Sequence, residues 1–262
     1  MANVVYENEV LESKLTNLLN TKMATRNFMK IDNDLAENAG MKKVINVYSY
    51  SGTVEEVAMG DGNTVTGEIT FSPVEYAVAV SQQNFSYFDE QAMQDPKVVD
   101  FGLAGASTVM VNDMNTKFFA ELAKATLEQE YASGGAISYD TVVDGISLME
   151  LEDESNLFIV IGTDLKADIR KDVDFKSSLL GEMLYTGQIG TISGIPVVVS
   201  KLVPTGAAYI ASKEAVTLFT KVDSEVEQER NADLRKNDVY MRKVNLVALT
   251  DATKVVKIIE GA

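Results

Sequence analysis

The stretch VINVYSYSGTVEEVAMGDGNTVTGEITFSPVEYAVAV, residues 44–80, decides how this chain reads. From Val44 to Tyr50, and again from Val65 to Val80, apolar and polar residues alternate with period two, the mark of half-buried strands. Between them lies Met59-Gly60-Asp61-Gly62-Asn63, whose Asp-Gly and Gly-Asn pairs are strong turn formers. The pattern predicts a β-hairpin. Its second strand changes phase at Pro73: Ile69 and Phe71 share one face, while Val74, Tyr76, Val78 and Val80 share a face offset by one residue. A bulge or bend at Pro73 is the expected cause. Arms of about twelve residues reach on the order of 40 Å at 3.3 Å per residue. A two-stranded ribbon is marginal in water alone, so it needs a support, either another copy of the chain or its own chain folded back.

Outward from the hairpin, residues 98–128 carry the longest helical pattern. Val99, Leu103, Ala106, Met110, Met114, Phe118, Leu122 and Ala125 recur at threes and fours, with Asp100, Ser107, Asn115, Glu121, Lys124 and Glu128 on the other side. Such a rod is about 45 Å long, far beyond the usual eleven or twelve residues. Its Met and Phe stripe reads as a core face. Gly134 and Gly135 are predicted to end it. Beyond them, short apolar strands at Leu157 to Gly162, Ile195 to Ser200, Ala207 to Ala211 and Val216 to Phe219 alternate with helical stretches near 139–152, 164–172 and 176–185. Strand character returns in the last forty residues, with Val244, Leu246 and Ala248 alternating before Lys254 to Ile259. The whole is α+β. Upstream, residues 7–22 predict a short amphipathic helix, with Val10, Leu11, Leu15, Leu18 and Leu19 on one stripe; it packs on its own domain or docks on a neighbour.

Composition narrows the function. The chain has 262 residues, 46% hydrophobic and 24% charged, as folded proteins do. No charged n-region followed by an apolar h-region opens it and no apolar run is long enough to span a bilayer, so it is expected to stay in the cytoplasm where it is made. It contains neither cysteine nor histidine. That removes disulfides and thiolate nucleophiles, together with the usual ligands of zinc, haem and iron and the commonest catalytic base. A net charge of −16 argues against gripping nucleic acid, which is driven by Lys and Arg.

No other motif restores an enzyme. The glycines Gly187, Gly190 and Gly194 match neither a Rossmann nor a Walker spacing, and they precede a strand instead of opening a helix. The acidic run Glu150, Glu152, Asp153 and Glu154 lacks the spacing and central glycine of a calcium loop and reads as a solvated helix end. The expectation is a non-enzymatic protein with no catalytic residues, no metal and no cofactor.

One further stretch, Gly190-Thr191-Ile192-Ser193-Gly194-Ile195-Pro196-Val197-Val198-Val199-Ser200, is followed by Ala207 to Ser212, Glu214-Ala215, the charged segment Glu225 to Arg230 and a final pair of strands. This order, behind an N-terminal arm, an acidic hairpin and a long helix, resembles the coat proteins of tailed bacteriophages with the Hong Kong 97-like fold. The resemblance covers nearly the whole chain. It implies a mobile N-terminal arm over residues 1–45, an extended loop over 46–80, a peripheral domain with its spine helix over 81–134, an axial domain over 135–219, and C-terminal strands over 220–262 that complete the peripheral domain and send a last strand back to the axial one. It further implies a major capsid protein that assembles in hexamers and pentamers into an icosahedral head, enclosing double-stranded DNA without sequence-specific binding, with no membrane. Since the arm begins close to Met1, a separate scaffolding protein is expected, alongside a portal.

Some members of that family join subunits through a lysine in the extended loop. Between Lys43 and Lys97 this sequence has no Lys or Arg, so the donor is missing from its usual place. The same segment, 44–96, holds eight acids, Glu55, Glu56, Asp61, Glu68, Glu75, Asp89, Glu90 and Asp95, and carries −8. Residues 230–257 hold seven bases, Arg230, Arg235, Lys236, Arg242, Lys243, Lys254 and Lys257, against three acids, and carry +4. An inter-subunit contact is therefore expected between Glu55, Glu56, Asp61 and Glu68 of one copy and Arg230, Arg235, Lys236 and Arg242 of the next; the alternative is two solvated faces. Two rival functions remain open: an encapsulin-like nanocompartment on the same fold, and a soluble metal-dependent enzyme using carboxylates.

Overall fold

The computed structural model describes residues 14–15, 25–37, 39–172 and 190–261. The helix expected at 176–185, and Gly187, lie outside them, as does most of the helix expected at 7–22.

The described chain folds as an α+β protein on two sheets and a separate ribbon. In order it forms β1 (Lys30–Asp32), α1 (Asp34–Glu37), β2 (Lys42–Ser51), β3 (Glu68–Ala77), β4 (Ala79–Phe88), α2 (Asp89–Gln94), α3 (Lys97–Leu122), β5 (Leu127–Tyr131), α4 (Tyr139–Ser147), β6 (Leu157–Gly162), α5 (Lys166–Lys171), β7 (Thr191–Ile192), β8 (Ile195–Ser200), β9 (Ala208–Ser212), β10 (Val216–Asn231), β11 (Lys236–Leu249) and β12 (Val255–Glu260). One sheet runs β1-β10-β11-β4, the other β5-β12-β9-β6-β8-β7, and β2 pairs β3 alone.

The long helix α3 packs on one face of the four-stranded sheet. Leu103, Met110, Met114, Phe118 and Leu122 enter a core with Tyr87, Val226, Val239 and Met241. Gly102 allows the close approach, since a Cβ there would stand 2.5 Å from the Phe85 ring. The same core bridges to the six-stranded sheet, where Phe118 stacks on Phe158 at 6.3 Å. That sheet's other face packs α4 through Val142 and Ile146 against Ile159, Ile210 and Ile258.

The helix is shorter than its pattern predicts. It stops at Leu122, and Leu127–Tyr131 turns into a strand lying parallel to β12. Leu127, Gln129 and Tyr131 fall on the more buried side of that strand, a period-two signal hidden inside a helical one. Gly134 therefore belongs to the turn after β5, at φ +67°, and does not end a helix. Ser107 is also not on the solvent side: it is buried and donates to the Ala104 carbonyl at 2.8 Å.

The expected irregularity at Pro73 is absent. β2 and β3 pair without a register shift from Lys42↔Ala77 to Ser51↔Glu68, through Asn46↔Pro73. The ribbon instead breaks at Val78, whose N–H returns to Met41 O at 2.8 Å, and the chain continues as β4 in the four-stranded sheet.

The stretch from Gly190 makes a tight hairpin. Ser193 at φ +51° and Gly194 at φ +81° supply the two left-handed positions that turn β7 into β8, with Ile192 opposite Ile195.

The described parts of the N-terminal segment pack on the rest of the chain. Leu15 is fully buried in the α3 core, Lys14 pairs with Asp100 at 2.8 Å, and Thr25 donates to Asn115 at 2.5 Å. Phe28 lies on Phe158 at 4.6 Å and β1 adds in parallel to β10. Of the apolar stripe expected over residues 7–22, only Leu15 lies among the described residues, and it packs on its own chain.

Candidate functional site

Among the described residues the ribbon β2–β3 forms a two-stranded sheet of its own, joined to neither of the larger sheets. Its root is held firmly. Ile45 and Tyr76 join Val78, Phe219, Val244 and Ala248 in a small core. The Tyr76 hydroxyl donates to Leu249 O at 3.2 Å and its ring lies 6.2 Å from Phe219. Lys43 reaches Asp34 at 3.0 Å and Asp32 at 3.7 Å, and those carboxylates hold its ammonium pKa above the ordinary lysine value.

Away from the root the two faces of the ribbon diverge. Because directly opposed residues share a face, Ile45 with Val74 and Lys43 with Tyr76 look toward the domain. Farther out that side carries Ser51 with Glu68, and Thr70 among its positions. The opposite side carries Tyr48 against Phe71 and Tyr50 against Ile69. These four residues are 65–70% exposed. The phase change read at Pro73 is thus real in composition and needs no bulge, since the apolar residues change face while the pleat continues.

The connection 52–67 closes over itself. Glu55 accepts from the Thr64 N–H at 2.7 Å, the Thr64 hydroxyl at 2.5 Å and the Val65 N–H at 3.0 Å, which lowers its carboxyl pKa. The Asp61 N–H bonds Ala58 O at 3.1 Å. Gly52 and Gly67 flank the Tyr50 phenol so closely that a Cβ on either would stand within 2.4 Å of its oxygen. Sequence reasoning missed this pair, although two glycines framing an aromatic at a strand end is a readable sign of close approach.

The eight residues expected to meet between subunits sit as follows. Glu55 is engaged within its own tip. Among the described residues Glu56, Asp61 and Glu68 have no ionic or side-chain hydrogen-bonded partner and stand exposed. Each of the four bases already holds an acid of its own chain: Arg230 bonds Asp89 at 2.7 Å, Arg235 bonds Glu90 at 2.8 Å, Lys236 bonds Asp238 at 2.8 Å, and Arg242 bonds Glu225 with Nε at 3.0 Å. Strand β10, which holds Arg230 and lies opposite Lys236 and Arg242 on β11, also carries Glu225, Glu227 and Glu229, which a count starting at 230 leaves out. So the structure separates the two groups within one copy, and gathers the bases among acids instead of into a basic patch.

Other surfaces offer little chemistry. A cleft between β4 and α3 is lined by Val80, Gln82, Val109, Asp113 and Lys117, and one across the sheet by Gln82, Glu227, Tyr240 and Arg242. Among the described residues no group of three or more acidic side chains is placed to hold a metal ion, and no helix is long and apolar enough to cross a membrane.

Residues 72–258 match the family model described as phage capsid protein. The major capsid protein of Staphylococcus phage phiMR11 is 25% identical over 262 residues, covering 97% of this chain and 93% of that one. Among solved structures, the capsid of cyanophage P-SCSP1u superposes with a TM-score of 0.73 at 11% identity, over 91% of this chain and 88% of that one. The capsid of the native GTA particle superposes with a TM-score of 0.74 at 14% identity, over 92% and 91%.

Proposed function

The chain belongs to the phage capsid protein family, and from that premise we propose that it is the major, non-enzymatic subunit of a tailed-phage head, self-assembling into the icosahedral shell of the virion. The observation that carries this reading is the ribbon: a β-hairpin of ten residue pairs, anchored at its root, whose far half finds no support among the described residues of its own chain. Two-stranded ribbons need a surface to lie on, and a shell of identical copies supplies one.

In this reading the hairpin is the extended loop and lies across an adjacent subunit. The four-stranded sheet with α3 is the peripheral domain, α3 its spine, and the six-stranded sheet the axial domain, with β12 returning to it from the C-terminal strands. Residues before the hairpin form the N-terminal arm. The exposed Glu56, Asp61 and Glu68, with Glu55 at the tip, meet Arg230, Arg235, Lys236 and Arg242 of the neighbour. Each of those bases would exchange an acid of its own chain for one of the next, so the contact sets register more than affinity. The head would enclose double-stranded DNA without gripping it, in line with the net charge of −16. A scaffolding protein and a portal would be separate chains.

The test is direct. Expressed alone or with its scaffold and viewed in negative stain, the protein is expected to form closed particles. A stable monomer or dimer at high concentration, with scaffold present, would overturn the capsid reading.

A further inference from the structure

The dipeptide Asp-Gly occurs twice, at Asp61–Gly62 and at Asp144–Gly145, and the fold treats the two in opposite ways. Both aspartates are exposed. Asp144–Gly145 lies inside α4, where the Leu148 N–H bonds Asp144 O at 3.1 Å and Gly145 is buried, with Ile210 Cδ1 3.0 Å from where a Cβ would stand. Helical backbone angles hold each N–H along the axis toward the preceding turn, and each side chain leans toward the helix N-terminus, away from the nitrogen that follows it. Asp61–Gly62 belongs to no helix or strand. The Asp61 N–H bonds Ala58 O at 3.1 Å, and Glu55 holds the N–H groups of Thr64 and Val65, so this stretch is tied at both ends. Between those ties, among the described residues, no hydrogen bond holds the Gly62 N–H, nothing lies within 4 Å of a Cβ built there, and the Asp61 carboxylate has no partner.

From this contrast we infer that Asp61 is a site of spontaneous isoaspartate formation in the folded subunit, while Asp144 is protected. The Gly62 nitrogen attacks Cγ of Asp61 in its carboxylic-acid form. The N–Cγ bond forms, the bond from Cγ to its hydroxyl breaks, and water leaves with that hydroxyl and the amide proton, giving a five-membered imide. A water molecule then opens the ring. Breaking N–Cγ restores aspartate; breaking the bond from the nitrogen to the α-carbonyl carbon leaves the main chain running through Cβ and Cγ, with a free α-carboxylate. One water is lost and one regained, so mass and formal charge do not change.

Attack requires the Asp61 backbone to rotate until the next nitrogen lies over Cγ, and a glycine there adds no Cβ to obstruct the ring. The ties at Ala58 and at Thr64–Val65 leave that rotation open. The product carries one more carbon in its main chain, and the paired ladder from Lys42↔Ala77 to Ser51↔Glu68 lies outside the ties, so the tip absorbs the change. At Asp144 the same rotation breaks the turn that seats Val142 and Ile146 in their core, so reaction there waits on local unfolding. The chemistry needs no partner and is read on the unassembled subunit, which keeps its outcome separate from that of the capsid reading.

No Lys or Arg lies between Lys43 and Lys97 or between Lys124 and Lys166, so trypsin places the two Asp-Gly pairs on separate peptides, residues 44–97 and 125–166. The full chain is aged at neutral pH, folded and in parallel in urea, then digested, and isoaspartate in each peptide is measured by labelling with protein isoaspartyl methyltransferase. In the folded chain it should accumulate in peptide 44–97 at least about tenfold faster than in peptide 125–166, and in urea the two rates should become similar. Asp61→Glu would need a larger ring, and Gly62→Val places a branched side chain against the attacking nitrogen at a position where the added Cβ meets no neighbour. Each should remove most of the signal from the first peptide, which assigns it to position 61. Equal rates in the two peptides of the folded chain, a signal that survives Asp61→Glu, or isoaspartate in the first peptide only when the chain is unfolded would overturn the inference.

Discussion

Tyr48 on β2 stands directly opposite Phe71 on β3, ring centroids 6.0 Å apart, on the side of the hairpin that its own domain leaves uncovered. An aromatic pair so placed adds little to the stability of the free subunit, because neither ring is desolvated. Its value is realised when a partner covers it. Under the proposed function, folding draws on Tyr76 and assembly on Tyr48 and Phe71 of the same ribbon.

Gly67→Val tests this division. The new side chain would collide with the Tyr50 phenol, whose oxygen would stand 2.3 Å from the added Cβ. Thermal melting of the unassembled subunit is expected to change little, while assembly followed by light scattering slows several-fold because the docking face is deformed. A large drop in melting temperature would show the tip to be part of the folding unit after all.

Charge reversal separates register from affinity. Glu56→Lys with Asp61→Lys is expected to slow assembly a few-fold, more at low salt, and Arg235→Glu with Lys236→Glu added to it should restore part of the rate. Normal assembly by both reversed proteins, or no rescue when they are combined, would show that these acids and bases do not meet. Glu55 is left out because it bonds Thr64 and Val65 in its own tip.

Lys243 is 3% exposed and pairs with Asp223 at 3.1 Å, on the irregular stretch where β10 shifts register. Burial pushes its ammonium pKa down, against the opposing pull of Asp223. Asp223→Ala should cost about 1–3 kcal/mol in urea unfolding of the free subunit, less than for a fully buried pair because Asp223 is partly open. Lys243→Met should be near neutral or stabilising. With the folded pKa depressed, the unfolded chain holds the proton longer, so wild-type stability relative to Lys243→Met should rise as pH climbs from that depressed pKa toward 10.5. A falling difference would refute the assignment.

Asp89 ties the β10–β11 hairpin to the start of α2, accepting from Arg230 at 2.7 Å and Asn237 at 2.6 Å, and these partners lower its pKa. The stability it contributes should be present above the ordinary aspartate pKa near 4 and vanish as pH falls through the lowered value. Asp89→Asn should therefore melt lower than wild type at pH 7, with the gap closing in acid. A gap that persists unchanged at pH 2 would contradict this role.

The fold was legible where its strands are short, apolar and bounded by turns. Leu157–Gly162 and Ile195–Ser200 are found where their runs of β-branched residues predict them. What stayed hidden had tertiary causes. Glu225 to Arg230 reads as a charged segment, yet it is strand, since the four-stranded sheet buries only the Val226 side there. Leu127–Tyr131 reads as helix because its strand signal depends on β12, more than a hundred residues away. For the candidate site, the ribbon and its change of apolar face were visible, but the change was assigned to a bulge because sequence cannot distinguish a slipped register from a change of partner. The pairing of Arg230, Arg235, Lys236 and Arg242 with acids of their own chain required coordinates.

The account's central claim is that this subunit assembles through the far half of its hairpin. A shortened chain, with residues 47–72 replaced by an Asn-Gly turn that joins Asn46 to its opposite number Pro73, keeps Ile45 and Tyr76 in their core. Mass photometry of the wild-type and shortened proteins under assembly conditions is the most direct measurement. The account predicts particles of megadalton mass for the wild type and folded species no larger than a capsomer for the shortened chain. Closed particles of equal yield from both would contradict it.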